Sequence, residues 1–230
     1  MTSIVCAGYA VTWNTSERSG MEHKELTDRV VHLLDAPGAL SIVNAGDPVL
    51  RQKSEHYEGQ LDDALLQRLV VRMRETMQQI DSAVGLAAPQ VGIPLRLAVM
   101  ATPEALSARL AKSGQQPVPF TVLINPSYEA VGRQVVAAYE GCLSVPPWQA
   151  VVARPDRIKL TREDETGRRI EEQHDGFAAR IVQHETDHLE GTLYLDRAEL
   201  RSLSTPEQAR QRWGAAGLAA AAEELGFALP

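Results

Sequence analysis

Cysteine is scarce in this sequence. The 230 residues hold two, Cys6 and Cys142, far apart in the chain. Such a pair gives no disulfide framework, and the expected compartment is a reducing cytoplasm. No apolar run approaches the roughly 18 residues that a membrane-spanning helix needs. The short apolar run from Ile4 to Val11 has no basic region before it and no cleavage site after it, which argues against a signal peptide. Positive charge is also in deficit. Lys and Arg number 23 against 30 Asp and Glu, a net charge of −7, which argues against a broad nucleic-acid surface. There are no internal repeats. The loop-like stretch Val84-Gly85-Leu86-Ala87-Ala88-Pro89-Gln90 lacks the Gly-Lys-Ser/Thr ending of a phosphate loop.

What is present suits one domain with appendages. Hydrophobic residues make up 44% of the chain, enough for a core. Residues 1–44 read as an N-terminal extension, partly helical or disordered. Within it Leu26 to Leu34 predicts a short helix stopped by Pro37 and Gly38, Asn14 to Gly20 lies outside the fold, and Met21 is an alternative start. Asp62 to Asp81 predicts an amphipathic helix, with Leu65, Leu69, Met73, Met77 and Ile80 on one face and two acids at its positive end. Short strands are expected at Leu95 to Met100, Thr121 to Ile124, Gln134 to Tyr139, Ala150 to Ala153, Arg157 to Arg162 and Arg168 to Gln173. Glu163 to Gly167 forms a hairpin turn between the last two. A second helix follows at Gly176 to Leu189. Residues 45–200 thus form the central domain, and 201–230 a C-terminal helical tail. Runs of short strands with two long helices, an amphipathic one N-terminal to the other, imply an α+β fold.

The sharpest motif lies on that second helix, His184-Glu185-Thr186-Asp187-His188. Residues four apart share a helix face, so both imidazoles can bind one cation, with the Glu185 carboxylate placed to act on water. The alternative is a charged helix face that carries two histidines by chance. A catalytic site of this type needs a third protein ligand. Glu190 points to another side of the helix, and His174 lies near a turn. Cys142, in Glu140-Gly141-Cys142-Leu143-Ser144, is the better candidate, because a thiolate is a strong ligand for Fe(2+) or Zn(2+). A free cysteine is otherwise a small buried hydrophobe.

Taken together, GLAAPQ, EGCLS and QHETDH, in that order, resemble the signature motifs of the peptide deformylase family. Gly46 to Arg51 and Leu123-Ile124-Asn125-Pro126 extend the resemblance over about residues 45 to 200. It implies an α+β fold in which short antiparallel strands surround the central HExxH helix, and hydrolysis of the N-formyl group from formyl-methionine at the N-terminus of newly made proteins, with release of formate. It implies the metal ligands Cys142, His184 and His188, holding Fe(2+), with Zn(2+), Ni(2+) or Co(2+) able to take its place. The metal-bound hydroxide attacks the formyl carbon, and Glu185 serves as general base and acid. The Gln90 amide and the Leu143 backbone N–H would stabilise the oxyanion, and Gln183 would orient a ligand. The partner is an extended nascent polypeptide, bound in part through the Gly85 backbone. Val84, Phe177 and Ile181 are candidates for the methionine pocket, or else simple core.

Two features depart from the family pattern. Ala83 stands where the motif usually has glycine. The tail from Gly214 to Pro230 has Glu223 and Glu224 but no Lys or Arg, so ribosome contact would be transient and not anchored by a basic helix. Three other readings compete. One is an HExxH zinc endopeptidase, which leaves Cys142 unexplained. Another is a catalytically weak deformylase-like protein. The last is a structural metal site, which would need a fourth protein ligand.

Overall fold

The computed structural model describes residues 23–112 and 114–230. Cys6, the Ile4 to Val11 run, Asn14 to Gly20 and Met21 lie outside the described residues. In chain order the elements are α1 (His23–Asp35), α2 (Asp63–Gln78), β1 (Gly85–Ala87), β2 (Leu97–Met100), α3 (Glu104–Lys112), β3 (Thr121–Ala130), β4 (Val135–Gly141), β5 (Gln149–Pro155), β6 (Arg157–Glu163), β7 (Arg169–Asp175), α4 (Gly176–Leu189), β8 (Ala198–Ser204), α5 (Pro206–Trp213) and α6 (Gly217–Leu225). The strands form two antiparallel sheets, one ordered β1-β2-β3-β6-β7 and one ordered β4-β5-β8. Helix α4 packs against strands of both. This is the expected α+β arrangement of short strands around the helix that carries the two histidines.

Helix α2 starts where its capping residue dictates. Asp62 accepts a hydrogen bond from the Leu65 N–H at 2.8 Å, which satisfies one of the free donors of the first turn. Leu65, Leu69, Met73 and Met77 are buried as the periodicity requires. The helix stops at Gln78, so Ile80 lies beyond it and is only partly buried. Helix α1 is longer than the expected Leu26 to Leu34. It buries Leu26, Val30 and Leu34 in the cluster that contains the apolar face of α2. Its end is met from α2: Arg72 donates to Leu34 O at 3.0 Å and, just past the helix, to Ala36 O at 3.0 Å and Gly38 O at 2.6 Å. Residues 23–44 therefore belong in part to the folded core.

The strands differ from expectation in three places. Val84 to Gln90 reads as a tight loop, yet Gly85–Ala87 is an edge strand paired, among the described residues, with β2 alone. Strand β3 continues through Asn125-Pro126, where the sequence suggests a stop. The ladder shifts register between Ile124 and Ser127, and Asn125 takes φ 49°. Proline has no N–H for the ladder. The Asn125 side chain binds Tyr57 instead, accepting from its N–H and donating to its carbonyl, both at 2.8 Å. The tail beyond residue 200 begins as strand β8 rather than as helix. Only after Ser204 does α5 start, capped by Thr205, which accepts from Gln208 N–H.

Candidate metal centre and its cleft

Helix α4 presents His184 and His188 one turn apart. Cys142 arrives from the other sheet, in the first turn after β4. The Cys142 Sγ and the imidazole nitrogens lie within 4.8 Å of one another, and Sγ is 3.3 Å from His188 Nε2. The Nδ1 of His184 faces Glu140 Oε2 at 3.1 Å, which leaves Nε2 for a cation. One sulfur and two imidazole nitrogens converging on one point is a donor set suited to a divalent transition metal. The other candidate ligands are elsewhere. Glu190 pairs with Arg96 at 2.5 Å and Lys53 at 3.1 Å, and His174 sits 3.4 Å from Glu172.

Glu185 follows the first histidine into the same buried space. It is 3% exposed, and its Oε2 has no hydrogen-bond partner among the described residues. Burial lifts its pKa to about 7, because a carboxylate loses its hydration there. Such a carboxyl group can both accept and give a proton near neutrality. Gly85 of β1 lies directly against it. A Cβ built on Gly85 would stand 2.2 Å from Glu185 Oε1 and 2.8 Å from its Cγ, so no side chain fits without moving the carboxylate. Gly85→Ala should lower unfolding free energy by about 1–3 kcal/mol through overpacking. Denaturant titration measures this, and an unchanged midpoint would mean that Glu185 moves aside at no cost.

An ionic network fixes the site from behind. Glu140 takes a two-pronged contact from Arg154, at 2.6 and 2.8 Å, and a third from Arg180 at 2.6 Å. Arg154 also reaches Asp187 at 2.8 Å, and Arg197 grips both oxygens of Asp187 at 2.8 Å. Burial alone would raise the Glu140 pKa, but hydrogen bonds from Arg154 and His184 hold it well below the usual carboxylate range. Glu140 is thus an ionised acceptor for His184 Nδ1, the partner that a ligating histidine requires. Here the sequence reading needs correction. Gln183 donates to Pro155 O and Ala179 O, each at 3.0 Å, and so ties α4 to β5 and to its own preceding turn. The orienting group on His184 is Glu140. Its place two residues before Cys142 was the available clue; nothing local points to Arg154.

The centre opens into a cavity of about 570 Å³. It is lined by Ala83, Val84 and Gly85, by residues between Tyr139 and Gln149, and by α4. Gln90 and Leu143 both line it. The Gln90 Oε1 accepts from Ala87 N–H at 2.9 Å, and Nε2 points at Cys142 Sγ (3.4 Å) and Ser144 Oγ (3.3 Å). Val84, Phe177 and Ile181 line the cavity too. They also pack on a cluster that includes Ala179, Val182 and Leu189, so pocket wall and core are one surface. Ala83 is buried in the wall.

Residues 39–203 match the family model described as polypeptide deformylase. The chain is 57% identical over 208 residues to peptide deformylase 3 of Streptomyces avermitilis, covering 90% of this chain and 92% of that one. It resembles the crystal structure of peptide deformylase from Thermotoga maritima, with TM-score 0.60 and 37% identity over 71% of this chain and 99% of the other. It also resembles the Met-Ala-Ser-bound class I type b peptide deformylase from Acinetobacter baumannii, with TM-score 0.62 and 30% identity over 70% and 99%.

Proposed function

Since this chain belongs to the polypeptide deformylase family, whose members are metal-dependent hydrolases that remove the N-formyl group from nascent peptides, we propose how its own residues divide that work. Cys142, His184 and His188 hold one divalent cation, with Fe(2+) as the resident ion. When bound, the cation supplies Lewis acidity to water and to the formyl carbonyl. Glu185 takes the proton from the attacking water on its unpartnered Oε2 and returns it to the leaving amine nitrogen. The Gln90 Nε2 and the Leu143 backbone N–H donate to the oxyanion. Glu140 keeps the His184 ring turned so that its Nε2 faces the cation.

The substrate lies as an extended strand along β1. Among the described residues that strand ends its sheet, and Gly85 on it carries main-chain groups without a side chain of its own. The methionine side chain packs on Val84, Phe177 and Ile181. Met-Ala-Ser, the ligand of the Acinetobacter structure, has the chemistry of such a deformylated peptide. We place the work in the cytoplasm, with transient contact at the ribosome; residues 214–230 carry no Lys or Arg. No helix of the described residues is long and apolar enough to cross a membrane.

The observation that carries this reading is the convergence of one sulfur and two imidazoles within 4.8 Å, beside a buried carboxylate whose Oε2 has no hydrogen-bond partner among the described residues. Anaerobic, iron-loaded protein given formyl-Met-Ala-Ser should release one formate per peptide and leave Met-Ala-Ser intact in the mass spectrum. Cleavage inside the tripeptide, or no formate from metal-replete protein, overturns it.

A further inference from the structure

We propose that Tyr194 is a positioning residue for the site: its ring braces His184 and its hydroxyl tethers the 142–148 connection, so that the Cys142 sulfur and the Leu143 N–H stand at fixed places beside the two histidines. The proposal rests on the deformylase reading of the cleft and adds to it a residue that acts through its neighbours.

Tyr194 opens the short turn Tyr194–Asp196 that follows α4. The turn is closed on itself, since Asp196 accepts from Leu193 N–H at 2.7 Å and pairs with Arg51. The tyrosine is 1% exposed. Phenylalanine would fill nearly the same space without burying a hydroxyl. A buried tyrosine O–H needs a partner, and here it donates to Trp148 O at 2.9 Å. Its proton is taken up by a backbone carbonyl, which makes the hydroxyl a tether and not an acid in the reaction.

The tethered carbonyl belongs to the connection between β4 and β5. The ladder closes at Gly141 and Gln149, and the residues between them include Cys142 and Leu143. Two successive turns run along this connection. Trp148 N–H donates to Val145 O, and Val145 N–H donates to Cys142 O, both at 3.0 Å. A shift at Trp148 is therefore passed back to Cys142. A second tie meets the connection in its middle, where Ala45 N–H donates to Ser144 O at 2.7 Å. The Gln90 Nε2 rests on the same residue, 3.3 Å from Ser144 Oγ. Both proposed oxyanion donors thus share one support, and Tyr194 holds the end of it that Ala45 does not reach.

The other contact of Tyr194 is with the ligand set itself. Its ring lies 6.3 Å from that of His184 between centroids, with 20° between the planes, an offset stack. Glu140 holds the same imidazole by its edge, 3.1 Å from Nδ1. One side chain therefore touches both halves of the centre, the histidine that α4 supplies and the connection that carries the sulfur. Oxyanion donors work by being in place before the charge develops, and ligand geometry is set by the groups behind the ligands. A tether between the two halves serves both.

Tyr194→Phe removes the tether and keeps the ring. The iron-loaded variant should turn over formyl-Met-Ala-Ser with kcat about tenfold lower, a fraction of the 10²- to 10³-fold lost when an oxyanion donor is removed outright. KM should stay within about twofold, because uniform binding of the peptide is untouched. In cobalt-substituted protein the sulfur-to-cobalt absorption band should move from its wild-type position, since the sulfur is no longer held in place. Tyr194→4-aminophenylalanine restores a donor at the same point and should bring kcat back to within about threefold of wild type. A wild-type kcat and cobalt band in Tyr194→Phe, with only a lower urea midpoint, overturn the proposal, as does a loss seen in KM alone. So does folded 4-aminophenylalanine protein that behaves like Tyr194→Phe. Should Tyr194→Phe not fold, Tyr194→Met, which also lacks the hydroxyl, takes its place in each comparison. If the metal-replete wild type releases no formate, the deformylase reading fails, and the cobalt band still decides whether Tyr194 positions the sulfur.

Discussion

Replacing Glu185 with Gln should slow formate release by about 10²- to 10⁴-fold, the range expected when a positioned acid–base group is removed, while metal content stays at its wild-type level. Gln has nearly the shape of Glu, so the close packing of Gly85 against this side chain is kept. The amide cannot accept the proton of the attacking water or return it to the leaving amine. The ligands are contributed by other residues, Cys142, His184 and His188, so the cation should remain. Metal analysis of the purified variant, set beside its kcat, decides the matter. Activity and metal lost together would place Glu185 in the coordination sphere or in the fold, and near-normal turnover would end its role in proton transfer.

Arg154→Ala should destabilise the protein by about 3 kcal/mol, the lower part of the range for breaking a buried ion pair. The guanidinium is buried between two acids, Glu140 and Asp187, whose side chains are 5% and 4% exposed. Removing it leaves both carboxylates in low dielectric and opens a cavity. Neither is wholly abandoned, because Arg180 still reaches Glu140 and Arg197 still grips Asp187; this is why the upper end of the range is not expected. Arg197→Ala should cost clearly less, since that side chain is 47% exposed and water can take over its role. Urea unfolding of the two variants gives the comparison. A loss below about 1 kcal/mol for Arg154→Ala would mean that the acids rehydrate or pick up protons cheaply.

The parts of this fold that follow local periodicity were legible in the sequence. Helix α4 spans the predicted Gly176 to Leu189, since its apolar and ligand positions recur at helical spacing. The β6–β7 hairpin was legible too, because its turn is built by Asp164 and Gly167. Strand β1 was not, since Gly85, Leu86 and Ala87 are all buried and show no alternation. Strand β8 hid behind an inverted pattern: Ser202 and Ser204 face inward while Leu200 and Leu203 face water. The Ser202 hydroxyl takes up Val151 N–H at 2.7 Å where the β5–β8 ladder breaks register, a role that hydropathy cannot signal. In the site, recognition of three motifs supplied the ligand set, and the structure brings those three side chains together. The Glu140–Arg154–Asp187 chain could not be seen, because its contacts cross from 14 to 33 positions and arise only when β4, β5 and α4 come together.

Helix α1 has a consequence for where this protein can be shortened. The stretch shared with the family model opens at residue 39, four positions after α1 has ended. Yet Leu26 and Val30 are as deeply interred as any residue of the shared stretch, and Leu34 is buried with them. Trimming the chain to the common stretch would strip an oily stripe along α2 bare to water and leave Arg72 without the carbonyls it holds. The folded core thus extends beyond the stretch matched by the family model and takes in that first helix.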